Sequence, residues 1–509
     1  MLEESKKVKT QRSKTVKQII TNRSNQAIKI SRILSNTNIS IINDVTFCDN
    51  NIECNSIVLP IKSVLKNDVS SDSSNDFCTQ FATLFFKNPN VIMIPTKTKT
   101  LLKRELPKYY LDKIHGGVKT EENREVAIEL CLLFLSQLSS TYRNILNGNS
   151  PEGWKSLRAD YLRQLLRIND KTYQHVKKAL LEFQYNSGPI LEERPYVIGK
   201  HSYGYRLGES FRSKGFISYT LKTQHVQELF RKSCTRKLRL AEKNSICLNL
   251  IEFYKTITLP TVDEIEAEAD RLIKSGYENK KGKKLVRRNK KGKEHFKDSA
   301  NLSFIEDALK IFRYLTKNGV MIPRPGSKKS GGRVVDSFAL MPSWIRKLVK
   351  VGGVPMAEVD YSCLHPNIAM MLYGGNAKYL KHVDLANNLN IDEKVIKIEH
   401  LSFFNKKVNQ MKNSPLFEYY QNYEPVMVRN IIVEKRYSEF KHKSTSRSLF
   451  AKEVELMTEV VARLNEEGIF MGYVYDALFF DPVHAIKVKE VMDEVAIDLG
   501  VFTVAKIEK

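Results

Sequence analysis

Residues 354–374 read VPMAEVDYSCLHPNIAMMLYG, and residues 468–482 read GIFMGYVYDALFFDP. In the first stretch VPMAEVDYS has the pattern of a strand, with Asp360 near its C-terminal end and a helix expected from about Pro366. In the second, two apolar half-strands, Phe470–Tyr475 and Ala477–Phe480, flank Asp476 in the manner of a hairpin. An unpaired buried carboxylate costs several kcal/mol, so each aspartate must be open to a cleft, ion-paired or bound to metal. Brought together on adjacent strands, the two could bridge a pair of Mg²⁺ ions about 3.5–4 Å apart and activate a 3′-hydroxyl for attack on a phosphate. The plainer alternative has each aspartate making a turn hydrogen bond at a strand end. Spacing alone leaves both open.

The surroundings add to the pattern. Upstream stand GRVV at 332–335 and MPSWIRKLV at 341–349; between the aspartates lies IDEKVIKIEHLSFFNKK, residues 391–407, a helix pattern rich in lysine. RSLFAKEVELMTEVVARLNEEGI, residues 447–469, has an apolar stripe of Leu449, Val454, Met457, Val460, Val461 and Leu464, which is core material.

This order of segments resembles the family A (DNA polymerase I-like) nucleic-acid polymerases, over about Gly331–Asp481. It is most similar to a set of phage, plasmid and bacterial proteins with a DYS.LHP-type motif A and a YD or HD motif C. The resemblance implies an α+β fold: a polymerase-like palm with an antiparallel sheet and reduced helical fingers. It assigns Asp360 and Asp476 to two catalytic metals, Mg²⁺ with Mn²⁺ as a substitute. It places Arg333 near the primer end and Arg346 at a second conserved arginine, where a structural ion pair is an equal alternative. Lys397, with Lys394 as competitor, would hold the incoming triphosphate, beside Tyr361 and His365; Tyr475 stands where motif C usually has histidine. His365 replaces the glutamate that gates the sugar in the DNA polymerases of the family, and Ala477 replaces the acid after motif C. DNA synthesis in replication is the first expectation, with RNA synthesis or priming left open.

Farther out, EVAIELCLLFLSQLSSTYRNIL (125–146) reads as a long apolar helix. GWKSLRADYLRQLLRINDKTYQHVKKALLEF (153–183) reads as two helices broken at Ile168–Asp170, and NSGPILEERPYVIGKHSYGYRLG (186–208) as a turn and two short strands. That layout is winged-helix-like and predicts either DNA contact or a plain packing module. Residues 280–297, KKGKKLVRRNKKGKEHFK, form a basic loop or ribbon in which Lys283, Lys284, Arg287 and Arg288 are candidates for tracking phosphates. The expected divisions are a basic, loosely ordered region over 1–105, a helical and winged-helix-like domain over 106–255, a thumb-like region over 256–330, and palm and fingers over 331–509.

Composition agrees with a nucleic-acid partner. The chain has 509 residues, 82 Lys and Arg against 57 Asp and Glu, and a net charge of +25. An excess of that size favours polyanions, here primer-template and nucleoside triphosphates. The seven cysteines include no CxxC pair, which argues against a disulfide framework or a structural zinc site and for a reducing compartment; the resemblance implies that this is the cytoplasm of a bacterial or phage-infected cell. No run reaches the ~18 apolar residues of a membrane span. A phosphate-binding GxxxxGK[ST] loop, a GxSxG elbow and an HExxH pair are absent, so ATPase, α/β-hydrolase and zinc-protease chemistry have no support. An origin-binding replication initiator, with the palm kept as a scaffold, is the competing class.

Overall fold

The computed structural model describes residues 90–508 apart from 116–119, 142–152, 186–187, 198–201, 213–214, 280–281, 289–300, 318–321, 328–329 and 377. Most of the expected N-terminal region, and the basic run outside 282–288, therefore lie outside the described residues. The described chain is α+β, with small, mostly antiparallel sheets set among helices. None of its helices is long and apolar enough to cross a membrane, and Cys131, Cys247 and Cys363 are free thiols.

One hydrophobic core collects residues from Ile92 to Phe230. It starts with β1 (Val91–Pro95) and α1 (Glu121–Ser136). Thr120 caps α1 by accepting from the Asn123 amide at 3.1 Å, and from Val126 to Leu135 the helix is buried on every face, as its unbroken apolar run requires. Glu129, buried within that run, accepts from the Tyr219 hydroxyl and the Lys222 and Thr223 amides at 2.6–2.9 Å, and from the Thr223 hydroxyl. β2 (Lys155–Ser156), α2 (Ala159–Leu166), α3 (Asp170–Glu182), β3 (Leu191–Arg194) and β4 (Gly204–Leu207) follow, with the strands in the order β2-β4-β3. Arg167, in the left-handed region, ends α2, and Asn169 caps α3 through the Thr172 amide at 2.8 Å. The break therefore falls where the sequence places it. β5 (Phe216–Thr220) returns to pair with β1.

A second core runs from Leu238 to Ala505. It holds α4 (Ser245–Phe253) and α5 (Val262–Lys274), the latter opened by a capping box of Thr261 and Glu264. β6 (Lys284–Val286) and β7 (Leu302–Phe304) pair in parallel ahead of α6 (Ile305–Lys317). α5, β6, β7 and α6, from the expected thumb-like segment, and α4, from the segment before it, share their core with the sheet that follows. That sheet begins with β8 (Ala357–Tyr361). After it come α7 (Leu364–Tyr373), α8 (His382–Leu389), α9 (Glu393–Phe403), α10 (Pro415–Tyr423), α11 (Pro425–Tyr437) and the long α12 (Ser444–Glu466). β9 (Gly472–Val474), β10 (Ala477–Phe480), α13 (Ala485–Asp498) and β11 (Ala505–Glu508) complete an antiparallel sheet of order β9-β10-β8-β11.

Alternation gives this sheet two unlike faces. Val359, Tyr361, Leu478, Phe480 and Ala505 are buried on one. There α13 lies against the strands: the Tyr361 hydroxyl donates to the Met492 carbonyl at 2.5 Å, and Asp493 accepts from the Ala505 amide at 2.7 Å. The opposite face carries Glu358, Asp360, Phe479 and Lys506. Phe479 meets the edge of Phe338 there, with ring centroids 5.4 Å apart. The hairpin strand β9 is fixed from below by buried Asn249 of α4, which exchanges two hydrogen bonds with the Met471 backbone at 2.6 and 3.0 Å. At Gly472 a Cβ would lie 2.6 Å from the Phe338 ring, so the close packing of this strand depends on glycine.

Candidate active site

The register of the sheet places the two aspartates side by side. Asp360 of β8 stands opposite Ala477, so Asp476, one residue earlier at the β9–β10 turn, faces the end of β8. Its carbonyl accepts from the Tyr361 amide at 3.3 Å, which closes that end. Tyr475, just before it, sits in the left-handed region at φ 62 and makes the turn. Both aspartates are partly buried. Burial, followed by the charge of Glu453, pushes the Asp476 carboxyl above the usual carboxylate range; His365 and Arg333 pull it back.

Glu453 gives the site its third wall. It projects from α12, is 0% exposed, and stands in the helix's apolar stripe. Arg333 holds it with two nitrogens, Nε at 2.7 Å and Nη2, while His365 Nε2 lies 2.7 Å from the same carboxylate. Burial opposes the charge on Glu453, yet His365 and Arg333 together keep its carboxyl below the usual range. The Arg333 guanidinium is stacked between the rings of Phe450, at 3.6 Å, and Tyr475, at 4.6 Å. It also lies 3.1 Å from His365. Gly331 makes this seating reachable. Its φ is +66, and a Cβ there would come within 2.4 Å of Phe450 Cβ and 2.7 Å of the Ala451 amide, so only glycine lets this loop lie flat on α12.

A buried polar network joins β8 to the helices beyond it. Cys363, in the left-handed region ahead of α7, has its sulfur 3.6 Å from His382 Nδ1. His382 Nδ1 is 3.1 Å from His400 of α9, whose Nε2 is 2.8 Å from the Tyr420 hydroxyl of α10. Burial lowers both histidines, His382 to about 4 and His400 to about 3, and raises the Cys363 thiol to about 12, so the network is neutral at pH 7. Lys397 of α9 is exposed and pairs with Glu393 at 2.9 Å, one turn away.

The structure thus brings Asp360, Asp476, Arg333, His365 and Tyr475 into one group. The other residues singled out in the sequence lie elsewhere. Tyr361 is 3% exposed and points to the α13 face. Arg346 is buried, donating to the Phe338 carbonyl at 3.3 Å and lying over the rings of Phe338 and Phe479. Lys283, Lys284, Arg287 and Arg288 belong to the β6 region: Arg287 pairs with Asp270 at 3.0 Å, and Arg288 pairs with Asp307 and covers Phe304. Lys394 lies on α9, with its amide held by Asp392 at 2.8 Å.

Two residues escape the sequence reading. Glu453 interrupts an apolar stripe four residues after Leu449 and four before Met457, and that interruption is its only signal. Lys506 has none, because nothing local shows that β11 will pair with β8.

Two adjacent carboxylates, one of them driven upward by burial and then by the Glu453 charge, make a locus that a cation would stabilise. Among the described residues no group of three or more His, Cys, Asp or Glu is arranged to hold a metal ion. A divalent ion here would take Asp360 and Asp476 from the chain and fill its shell with water or phosphate oxygens, the habit of Mg²⁺.

No protein-family profile matches the chain, and no curated protein matches it. Among solved structures it is similar to the POL domain of Pol1 from M. smegmatis, a complex with DNA primer-template and dNTP. That likeness has a TM-score of 0.34 and 10% identity, and covers 56% of this chain and 73% of the other.

Proposed function

We propose that this chain is a template-directed nucleic-acid polymerase that extends a primer by nucleotidyl transfer, with DNA synthesis from dNTPs in replication as its first assignment. The observation that carries the reading is the pairing of Asp360 and Asp476 at the end of adjacent strands, walled by the Arg333–Glu453–His365 group. In the reaction the primer 3′-hydroxyl attacks the α-phosphorus in line. A new P–O bond forms, the bond to pyrophosphate breaks, and the hydroxyl proton leaves to solvent. Divalent cations bound by the two aspartates would supply the charge that acidifies the hydroxyl and neutralises the departing oxygens.

The chain's own groups do the positioning. Arg333, rigid between two rings, presents a fixed cation at the hairpin turn where the primer end would lie. His365 is oriented by Glu453 and stands where the nucleotide sugar would pass, so choice between dNTP and NTP rests on this imidazole rather than on a free carboxylate. Among the described residues Lys397 is tied by an exposed pair one helical turn long, a contact worth a few tenths of a kcal/mol, and exchanges it for phosphate at little cost. We read α1–β2–α2–α3–β3–β4 as a winged helix that holds the duplex, on the strength of its element order and three-stranded sheet.

That same module favours a second reading, an origin-binding initiator. Primer extension with Mg²⁺, comparing dNTPs and NTPs, separates the two. Asp360→Asn and Asp476→Asn should each lower incorporation by at least about a hundredfold while leaving DNA binding intact. Undiminished incorporation in both variants would overturn the polymerase assignment; binding to DNA without incorporation by the native chain would favour the initiator.

A further inference from the structure

β11 puts a lysine beside the aspartate pair. Lys506 is the direct antiparallel partner of Asp360, so the two side chains leave the same face of the sheet with Cβ atoms about 4.5–5.5 Å apart. Its neighbours Ala505 and Ile507 alternate to the other face. The Lys506 side chain is exposed and takes part in no ion pair among the described residues. A lysine left unpaired next to a carboxylate centre has no role in holding the strand.

A second lysine meets it. Lys397 of α9 pairs with Glu393 at 2.9 Å, and the ammonium groups of Lys397 and Lys506 both act on the Glu393 carboxylate and on the Cys363 thiol and His382 imidazole of the buried network. Cys363 lies three residues beyond Asp360. Two flexible cations thus converge on the ground next to one of the two aspartates. A compact ammonium on a long stem suits a phosphate chain, which presents several oxygens and no fixed plane to match.

We propose that Lys506 and Lys397 form a two-sided clamp for the β- and γ-phosphates of the incoming nucleotide, with Lys506 as a phosphate-positioning residue. This rests on the nucleotidyl-transfer reading above. The clamp would hold the triphosphate so that its α-phosphorus lies over Asp360, and would neutralise the pyrophosphate as it departs. Because Lys506 sits on an exposed strand position, its loss leaves the sheet's packed face unchanged.

The test uses the full chain, with Lys506→Ala and Lys506→Arg, in single-nucleotide incorporation on a primer-template and in calorimetric binding of inorganic tripolyphosphate with Mg²⁺. Expected for Lys506→Ala is a KM for nucleotide raised roughly ten- to a hundredfold, the worth of one charged hydrogen bond. Tripolyphosphate binding and inhibition by pyrophosphate should weaken in step, primer-template affinity should stay within about twofold, and Lys506→Arg should recover most of the loss. KM and tripolyphosphate affinity within about twofold of the native values would overturn the inference, as would a loss that follows primer-template affinity instead. The two ideas fail separately. If Asp360→Asn abolishes incorporation while Lys506→Ala leaves KM alone, the clamp is wrong and the polymerase stands. If the native chain incorporates nothing yet Lys506→Ala weakens tripolyphosphate binding, the phosphate site stands without the polymerase.

Discussion

Asp336 shows how far a single carboxyl can depart from its solution behaviour here. It is 0% exposed and caps the short helix Ser337–Leu340 by accepting from the Ala339 amide at 2.8 Å. Burial raises its pKa to about 7, against the pull of the Ala339 amide and of nearby Arg346. An unfolded aspartate titrates near 3.9, so the folded state holds this proton over a range where the unfolded chain has lost it. Its contribution to stability is therefore full below about pH 4, falls as pH rises toward about 7, and is flat above. The span corresponds to something on the order of 4 kcal/mol. Asp336→Asn keeps the cap and removes the titration. Urea unfolding of the two proteins at pH 5 and pH 8 should show the variant gaining on the native chain by a few kcal/mol at the higher pH. An equal difference at both pH values would show that Asp336 is ionised throughout. Glu453 is equally buried but the opposite case: the Arg333 guanidinium and the His365 imidazole hold its charge, and the site is built on that charge.

At the level of elements, the loop at Gly331 and the long helix α12 decide where Arg333 stands. A side chain at Gly331 would meet helix backbone, which cannot yield as a flexible side chain does, and would also have to adopt φ +66. Gly331→Ala should lift the loop and unseat Arg333 from Phe450 and Glu453. The expected result is a drop of about tenfold or more in primer extension with little change in the urea midpoint for unfolding, since an open loop and not the core has moved. Unchanged extension would mean that Arg333 is positioned without the loop. The strands that carry the aspartates were legible because each is a short apolar run ending at a turn, and the structure has them at Ala357–Tyr361 and Ala477–Phe480. The helix after β8 was legible too, beginning at Leu364. What composition could not reveal was partnership across long separations. Leu456 and Glu453 are the buried residues where the stripe pointed to Val454, which is only partly buried. Arg346 has the same residue type as Arg333 but is spent on the Phe338 carbonyl and the rings of Phe338 and Phe479, where Arg333 grips Glu453.

Across the whole molecule, the +25 net charge is spread unevenly in its effect. Many basic side chains in the described region are bound to local carboxylates, among them Arg287, Arg288 and Lys177. The net charge already discounts those carboxylates, so the excess that can meet a polyanion lies with the remaining basic side chains. Primer-template affinity should still fall steeply with salt, by about tenfold or more between 50 and 200 mM, if several phosphates are neutralised. A log–log slope near zero in a fluorescence titration would mean that the duplex is not held through its backbone. The slope should be the same for native and Lys506→Ala protein, since that lysine is assigned to the nucleotide.

The order of strands β9-β10-β8-β11 also bears on how the protein is made. β8 is the inner strand that carries Asp360, yet both of its partners are encoded more than a hundred residues after it. A ribosome adds roughly 5–20 residues each second, so β8 waits several seconds or more with both hydrogen-bonding edges open. Such an edge is an invitation to other chains. The helices α7 to α12 are synthesised in that interval and can fold on local contacts alone, covering one flank of the strand before its partners arrive. Slow translation between α12 and β11 would prolong the vulnerable stage, with the two carboxylates still apart.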